Sequence, residues 1–447
     1  MPRRAALALS GSLATGAAAL GASAGASPPP SPASPTPFAS SGAARNRVVF
    51  DDARVAIPGS GQRVPVATWF PDASGTGAGA EPSVISERRG PDSSPLYYPH
   101  AISVAKIARV LLNTPESTPR WLDRQTPLLA APGVRAAARG ETSHASGHAA
   151  PDKVAVLCHG YLGSRFDLVD LAEALASEGF LVLAPEFAES LASPETTPAY
   201  ARPGEPPPTH PSATRDEVVD AALRAFAPGF FEASDVGASG GAPRVVIAGQ
   251  SAGASTATSA RGPFAARVAI AGFRPPPPEA REAREALLRD PLLVVASAGD
   301  GVISLYPRES GAFGAYEGIA ASVEGMPVRV PKYDIGAFAA RVRELSAARD
   351  AAPNAKGTSA NALNAFLTYE PPGGDGGAIT GLPCHISFLS SRTNDAMVEV
   401  LSPLLPVARA IGVPVLDFDK YQTSRDSDAV NAELVPLIAE WLNAAVE

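Results

Sequence analysis

The chain has 447 residues, 45% of them hydrophobic and 18% charged, so it can bury a full-sized core and is not disordered as a whole. Its 37 Lys and Arg against 45 Asp and Glu leave a net charge of -8 with no block of basic residues, which argues against a nucleic-acid surface. Two cysteines exclude a disulfide scaffold and lack the paired spacing of a zinc site, so stability must come from packing.

At the N-terminus, Arg3 and Arg4 precede a small-residue apolar run from Ala5 to Leu20 and the small residues Ala24-Gly25-Ala26. Residues 1–26 therefore have the profile of a signal or targeting peptide. The adjacent arginines also allow twin-arginine export, so the expected location is outside the cytosol: secreted, periplasmic or, in a plastid-bearing organism, the thylakoid lumen. The run is too short and too rich in Ala and Gly for a membrane span. Residues 27–45, mostly Pro, Ser and Ala, read as a disordered linker, and residues 46–447 as the folded domain.

In that domain Val48 to Phe50, Arg54 to Ile57 and Val64 to Phe70 read as an opening strand pair. Residues 72–151 form a first insertion, with a Gly/Ser/Pro loop, an amphipathic helix on Ile102, Val104, Ile107, Val110 and Leu111, and a polar loop before Pro151. From there the pattern is regular. Val154 to Cys158, Phe180 to Ala184, Val245 to Ala248, Val268 to Ala271 and Leu292 to Ala296 are apolar at every position. Such runs fit strands buried on both faces, with the intervening helices as crossovers. The fold class is α/β: a mostly parallel central sheet flanked by helices, with a second insertion at residues 301–384, and a closing helix from Asp426 to Val446.

The pattern G-x-S-x-G occurs three times, so the motif alone decides nothing. Context does. Gly21 to Gly25 lies in the leader and Gly237 to Gly241 in a loop, whereas Gly249-Gln250-Ser251-Ala252-Gly253 joins an apolar strand to a helix-compatible run. That is the setting of a nucleophile elbow. The serine backbone is strained in such a turn, so Gly249 and Gly253 must be small, and Ser251 Oγ is held out at a helix N-terminus.

A serine nucleophile needs a base. Of six histidines only His385 follows Ser251, and parallel-sheet hydrolases run nucleophile, acid, histidine. The acid is then expected at a strand end between them, where Asp300 closes Leu292 to Ala298; Asp290 and Asp334 are weaker rivals. The oxyanion hole is expected from the N–H groups of Ala252 and Tyr161, in the turn His159-Gly160-Tyr161-Leu162-Gly163, with His159 orienting that loop. His144 and His148 lack a third ligand, so no metal is expected, nor any cofactor. Cys158 and Cys384 read as small buried residues.

These residues resemble the α/β-hydrolase fold. More closely, Thr68-Trp69-Phe70-Pro71, Cys158-His159-Gly160-Tyr161, Leu175 to Phe180 leading into Val182-Leu183-Ala184-Pro185, and the Ser251 elbow resemble the platelet-activating factor acetylhydrolases and dienelactone-hydrolase-like esterases. The likeness covers about residues 46 to 300 and, beyond that, only His385. In the acetylhydrolases the acid follows the strand after the nucleophile helix, but Val268 to Arg274 carries no carboxylate there, and Gln250 replaces their common histidine. The resemblance implies ester hydrolysis through an acyl-enzyme, on a phospholipid or short-chain acyl ester. The alternatives are a chlorophyllase-like, lactone or polyester hydrolase, or an inactive hydrolase-fold binding protein. The expected partner is a small-molecule or lipid ester, with peripheral membrane contact allowed through the helix near Ile102 and no nucleic acid; oligomeric state is left open.

Overall fold

Runs that are apolar at every position cannot leave either face to solvent, and each becomes an inner strand of one ten-stranded sheet. The computed structural model describes residues 47–60, 62–72, 95–104, 106, 123–138, 151–191, 213–232, 242–309, 316–351, 360–371, 380–410, 417–418 and 420–446. All lie in the larger of two units, Pro37–Glu447. The expected leader and linker, His144, His148 and His210 fall outside the described residues.

The strands of the sheet are β1 Val48–Ala56, β2 Arg63–Pro71, β3 Val134–Ala136, β4 Lys153–Cys158, β5 Leu181–Pro185, β6 Arg244–Gln250, β7 Ala266–Ile270, β8 Leu292–Ser297, β9 Lys332–Tyr333 and β10 Ala365–Tyr369. Their order is β9-β10-β8-β7-β6-β4-β5-β2-β1-β3. Only β2 runs against its neighbours, β1 and β5; the other adjacent pairs are parallel. The helices are α1 Val169–Ser177, α2 Arg215–Phe226, α3 Ala252–Ser259, α4 Arg281–Arg289, α5 Ile319–Glu324, α6 Ile335–Ala351, α7 Ser391–Leu401, α8 Leu405–Ala410 and α9 Ser427–Val446.

Strand periodicity assigns the two layers. Ala155 and Leu157 of β4 face the side of α1, α6 and α9. Val154, Val156 and Cys158 face α2, and farther along the sheet Val294 and Ala296 of β8 face the side of α4 and α5. The opening hairpin is locked onto this frame by Trp69, which donates from Nε1 to Tyr98 Oη at 3.0 Å; that hydroxyl donates to Glu173 Oε1 of α1 at 2.6 Å.

Two expectations about the insertions need correction. Ala101–Ile102, expected to start a helix, is a short strand paired with Arg124–Gln125, because Ile102 is drawn into an apolar cluster with Leu162 and Leu191. Val104 and Lys106 are helical, and residues 107–122 lie outside the described set. Residues 301–384 are not one inserted subdomain. β10 is wholly buried and pairs with β8 from Leu293↔Ala365 to Ser297↔Tyr369, while α6 sends Phe338, Val342 and Leu345 into the core, so most of this stretch is sheet and crossover. Part of this stretch still lines the cavity, through Val302, Tyr316 and Ser322, and α7, the turn Ser402–Leu404 and α8, which follow His385, line it as well. Arg392 fastens α7 to α1 through Glu173, at 2.8 Å to Oε2, and through Asp170.

Candidate active site

Strand β6 ends at Gln250 and α3 begins at Ala252, so one residue must reverse the chain. Ser251 does so with φ 56° and ψ -119°, a strained conformation for a residue with a side chain, worth about 1–3 kcal/mol. Close packing fixes its flanks. A Cβ on Gly249 would sit 2.1 Å from Gly253 O, and one on Gly253 would sit 2.0 Å from Cys158 O, so neither position has room for alanine. A Cβ on Gly272, in the turn after β7, would sit 2.7 Å from Ser251 O, a less severe but still excluded contact, and that position had no recognisable signal in the sequence.

The structure brings Ser251, His385 and Asp300 into one hydrogen-bonded line. His385 Nε2 lies 2.9 Å from Ser251 Oγ, and His385 Nδ1 lies 2.8 Å from Asp300 Oδ2. Asp300 Oδ1 accepts from the N–H groups of Val302 and Ile303, both at 2.8 Å, which turns Oδ2 to the ring. Ionised Asp300 can only accept, so the network assigns the proton to Nδ1 and leaves Nε2 to accept from Ser251. The rivals are occupied elsewhere. Asp290 pairs with buried Arg267 at 2.9 Å, and Asp334 Oδ1 caps α6 at Ala337 N.

Asp417, which sequence reasoning missed, ties the two loops together. Its Oδ2 accepts from Gly301 N at 2.6 Å and His385 N at 3.2 Å, and Lys420 Nζ holds Oδ1 at 3.0 Å. Burial alone would lower the His385 pKa, but Asp300 and then Asp417 outweigh it, so the ring titrates above its ordinary 6.5. Replacing Asp417 with Asn should therefore lower the His385 titration point. Imidazole proton NMR against pH checks this, and an unchanged or raised point would contradict it.

The turn after β4 stands against Ser251, with the Cβ position of Gly160 3.1 Å from Ser251 Cβ. His159 Nε2 accepts from Phe187 N at 2.9 Å, so its proton sits on Nδ1 and donates to Gly160 O at 2.7 Å. Burial lowers its pKa, which keeps this ring neutral as a brace for the loop. A second brace is Arg215, whose Nη1 donates to His159 O at 2.9 Å while its guanidinium lies over Phe187. The Thr214/Glu217 capping box marks where α2 starts, but nothing in the sequence says where Arg215 reaches. Tyr161 and Ala252 line the same cavity as Ser251, and Ala252, the first residue of α3, has no intrahelical acceptor for its N–H. Cys158 and Cys384 are both buried and free. Among the described residues no group of three His, Cys, Asp or Glu side chains is arranged to hold a metal.

Ser251 opens on a cavity of about 690 Å³. Its lining includes the apolar side chains of Leu162, Leu191, Leu389, Met397, Leu401 and Leu404 and the polar ones of Arg274, Tyr316, Glu317 and Ser322.

No protein-family model and no curated protein matches the chain. Among solved structures it is similar to the ferulic acid esterase from Streptomyces cinnamoneus, with 16% identity and a TM-score of 0.35 over 91% of this chain and 92% of that one. It is also similar to S-formylglutathione hydrolase from Staphylococcus aureus, with 10% identity and a TM-score of 0.27 over 57% and 81%. Similarity this distant says nothing about substrate. The fold is the α/β-hydrolase fold, a mostly parallel sheet covered on both faces with a strained serine turn at the end of an inner strand.

Proposed function

We propose that this protein is a serine carboxylic-ester hydrolase working through an acyl-enzyme. The observation that carries the reading is the line Ser251–His385–Asp300, at 2.9 and 2.8 Å, set on a strained turn at a helix N-terminus. Ser251 Oγ attacks the ester carbonyl as His385 Nε2 takes its proton; the N–H groups of Ala252 and Tyr161 hold the oxyanion; His385 returns the proton to the leaving alcohol. Water then repeats the sequence on the acyl-serine, with the same ring as base and then acid. Asp300 keeps the ring in the productive tautomer and stabilises it when charged.

The substrate is an ester with an aliphatic arm, in the range from short-chain acyl esters to phospholipids. The apolar side chains of the lining support the aliphatic part. Each methylene they take from water should contribute about 0.8 kcal/mol, about fourfold in kcat/KM, until the cavity is full. A p-nitrophenyl ester series from acetate to palmitate should therefore climb and then fall. A fluorophosphonate probe should label the protein at Ser251 and nowhere else. A protein inert on every ester and unlabelled by the probe would be a binding protein on a hydrolase fold.

A further inference from the structure

Beside the oxyanion turn lies a carboxyl that this mechanism does not use. Asp167 is only 1% exposed, yet it lines the cavity that holds Ser251. Its Oδ1 accepts from Ser164 N and Ser164 Oγ, each at 3.0 Å, which satisfies the turn. Oδ2 has no hydrogen-bond partner among the described residues, and it sits where a Cβ on Gly163 would come within 2.0 Å of it. Leu162, Leu191, Leu389, Met397 and Leu401, which line the same cavity, belong to one apolar cluster. Oδ2 keeps some accessible surface, so a ligand that excludes water from it must supply a hydrogen bond or leave the atom unpaired at a cost of about 1–3 kcal/mol. Burial, opposed more weakly by the Ser164 hydrogen bonds, raises the Asp167 pKa to about 7, so near neutrality the carboxyl both donates and accepts.

We propose that Asp167 is a specificity residue that binds a hydroxyl group on the aliphatic arm of the ester, a few bonds from the scissile carbonyl. The proposal rests on the ester-hydrolase reading and adds the substrate's second polar group to it. A hydroxyl both donates and accepts, so it pairs with Oδ2 in either protonation state, whereas a cation would have to shed its water into apolar walls. The short reach follows from the turn itself. Gly163 N donates to Gly160 O at 3.2 Å, and Gly160 stands against Ser251 as Gly163 stands against Asp167.

The test compares kcat/KM for matched esters at neutral pH: p-nitrophenyl hexanoate against its β-hydroxy and ω-hydroxy forms, and hexyl acetate against ω-hydroxyhexyl acetate. The first set places the hydroxyl on the acyl arm and the second on the alcohol arm. In the wild-type protein at least one hydroxy ester should be preferred by about tenfold or more. Asp167→Leu should bring that ratio to about one, and Asp167→Asn, which keeps a hydrogen-bonding group toward the cavity, should retain most of it. Using the ratio removes any general damage to the turn. Wild-type ratios near one in both sets, or a preference that survives in Asp167→Leu, overturns the proposal while turnover of the plain esters leaves the hydrolase reading standing. Absence of all turnover together with absence of fluorophosphonate labelling removes both.

Discussion

Ser251→Ala should lower kcat on any ester the wild-type protein hydrolyses by at least about a thousandfold while leaving the fold intact. The substitution removes one oxygen. That oxygen makes no cap contact to α3, and its side-chain partner is His385 Nε2 at 2.9 Å. Alanine keeps the Cβ that already occupies the strained φ of 56°, so the turn neither gains nor loses much backbone strain. Thermal unfolding should consequently shift by no more than a few degrees. His385→Ala should cost a similar factor, and the double variant little more than either single one, because the two side chains act as one unit. Stopped assays with enough enzyme to see the residual rate check both points. A Ser251→Ala protein retaining more than a tenth of wild-type kcat would remove the serine from the mechanism.

Much of this site could be read before any coordinates, and the reasons are local. A wholly apolar run such as Val154 to Cys158 declares a strand buried on both faces, and the geometry of Gly249 to Gly253 follows from which side chains the turn cannot accommodate. His385 and Asp300 followed from chain order combined with strand ends. The unread parts depend on contacts between segments far apart. Asp417 is one of many acidic residues in the chain, and its role comes from accepting two backbone N–H groups on loops that meet only in three dimensions. Arg215 and Asp167 are similar cases, ordinary helix-start and turn residues whose side chains matter because of what folding places opposite them. The second insertion was half legible for a related reason. Residues 301–384 read as excess length between acid and base, and Val302, Tyr316 and Ser322 do line the cavity, but Ala365–Tyr369 extends the sheet beside β8, and amphipathic α7 also lines the cavity, which its sequence alone does not say.

Asp300→Asn should be nearly as damaging as loss of the serine, by about 10⁴-fold in kcat, through a proton in the wrong place. The N–H groups of Val302 and Ile303 both point at Oδ1, at 2.8 Å each, so an asparagine here must put its amide oxygen at that position. Its NH2 group then takes the place of Oδ2, 2.8 Å from His385 Nδ1, and donates to a nitrogen that in the wild-type protein is itself the donor. The ring responds by carrying its proton on Nε2. That proton faces Ser251 Oγ, so the base has lost the lone pair that should receive the serine proton. Asp417 cannot substitute, because it bonds the backbone N–H of His385 and not the ring. Fluorophosphonate labelling should slow with kcat, since it requires the same activated serine, and nitrogen NMR of the imidazole should report the exchanged tautomer. Asp334→Asn, at a carboxyl whose work is to cap α6, should stay within about twofold of wild type. Equal effects at 300 and 334, or an Asp300→Asn protein with the wild-type tautomer and near-wild-type kcat, would show that the carboxylate at 300 is not the partner the histidine depends on.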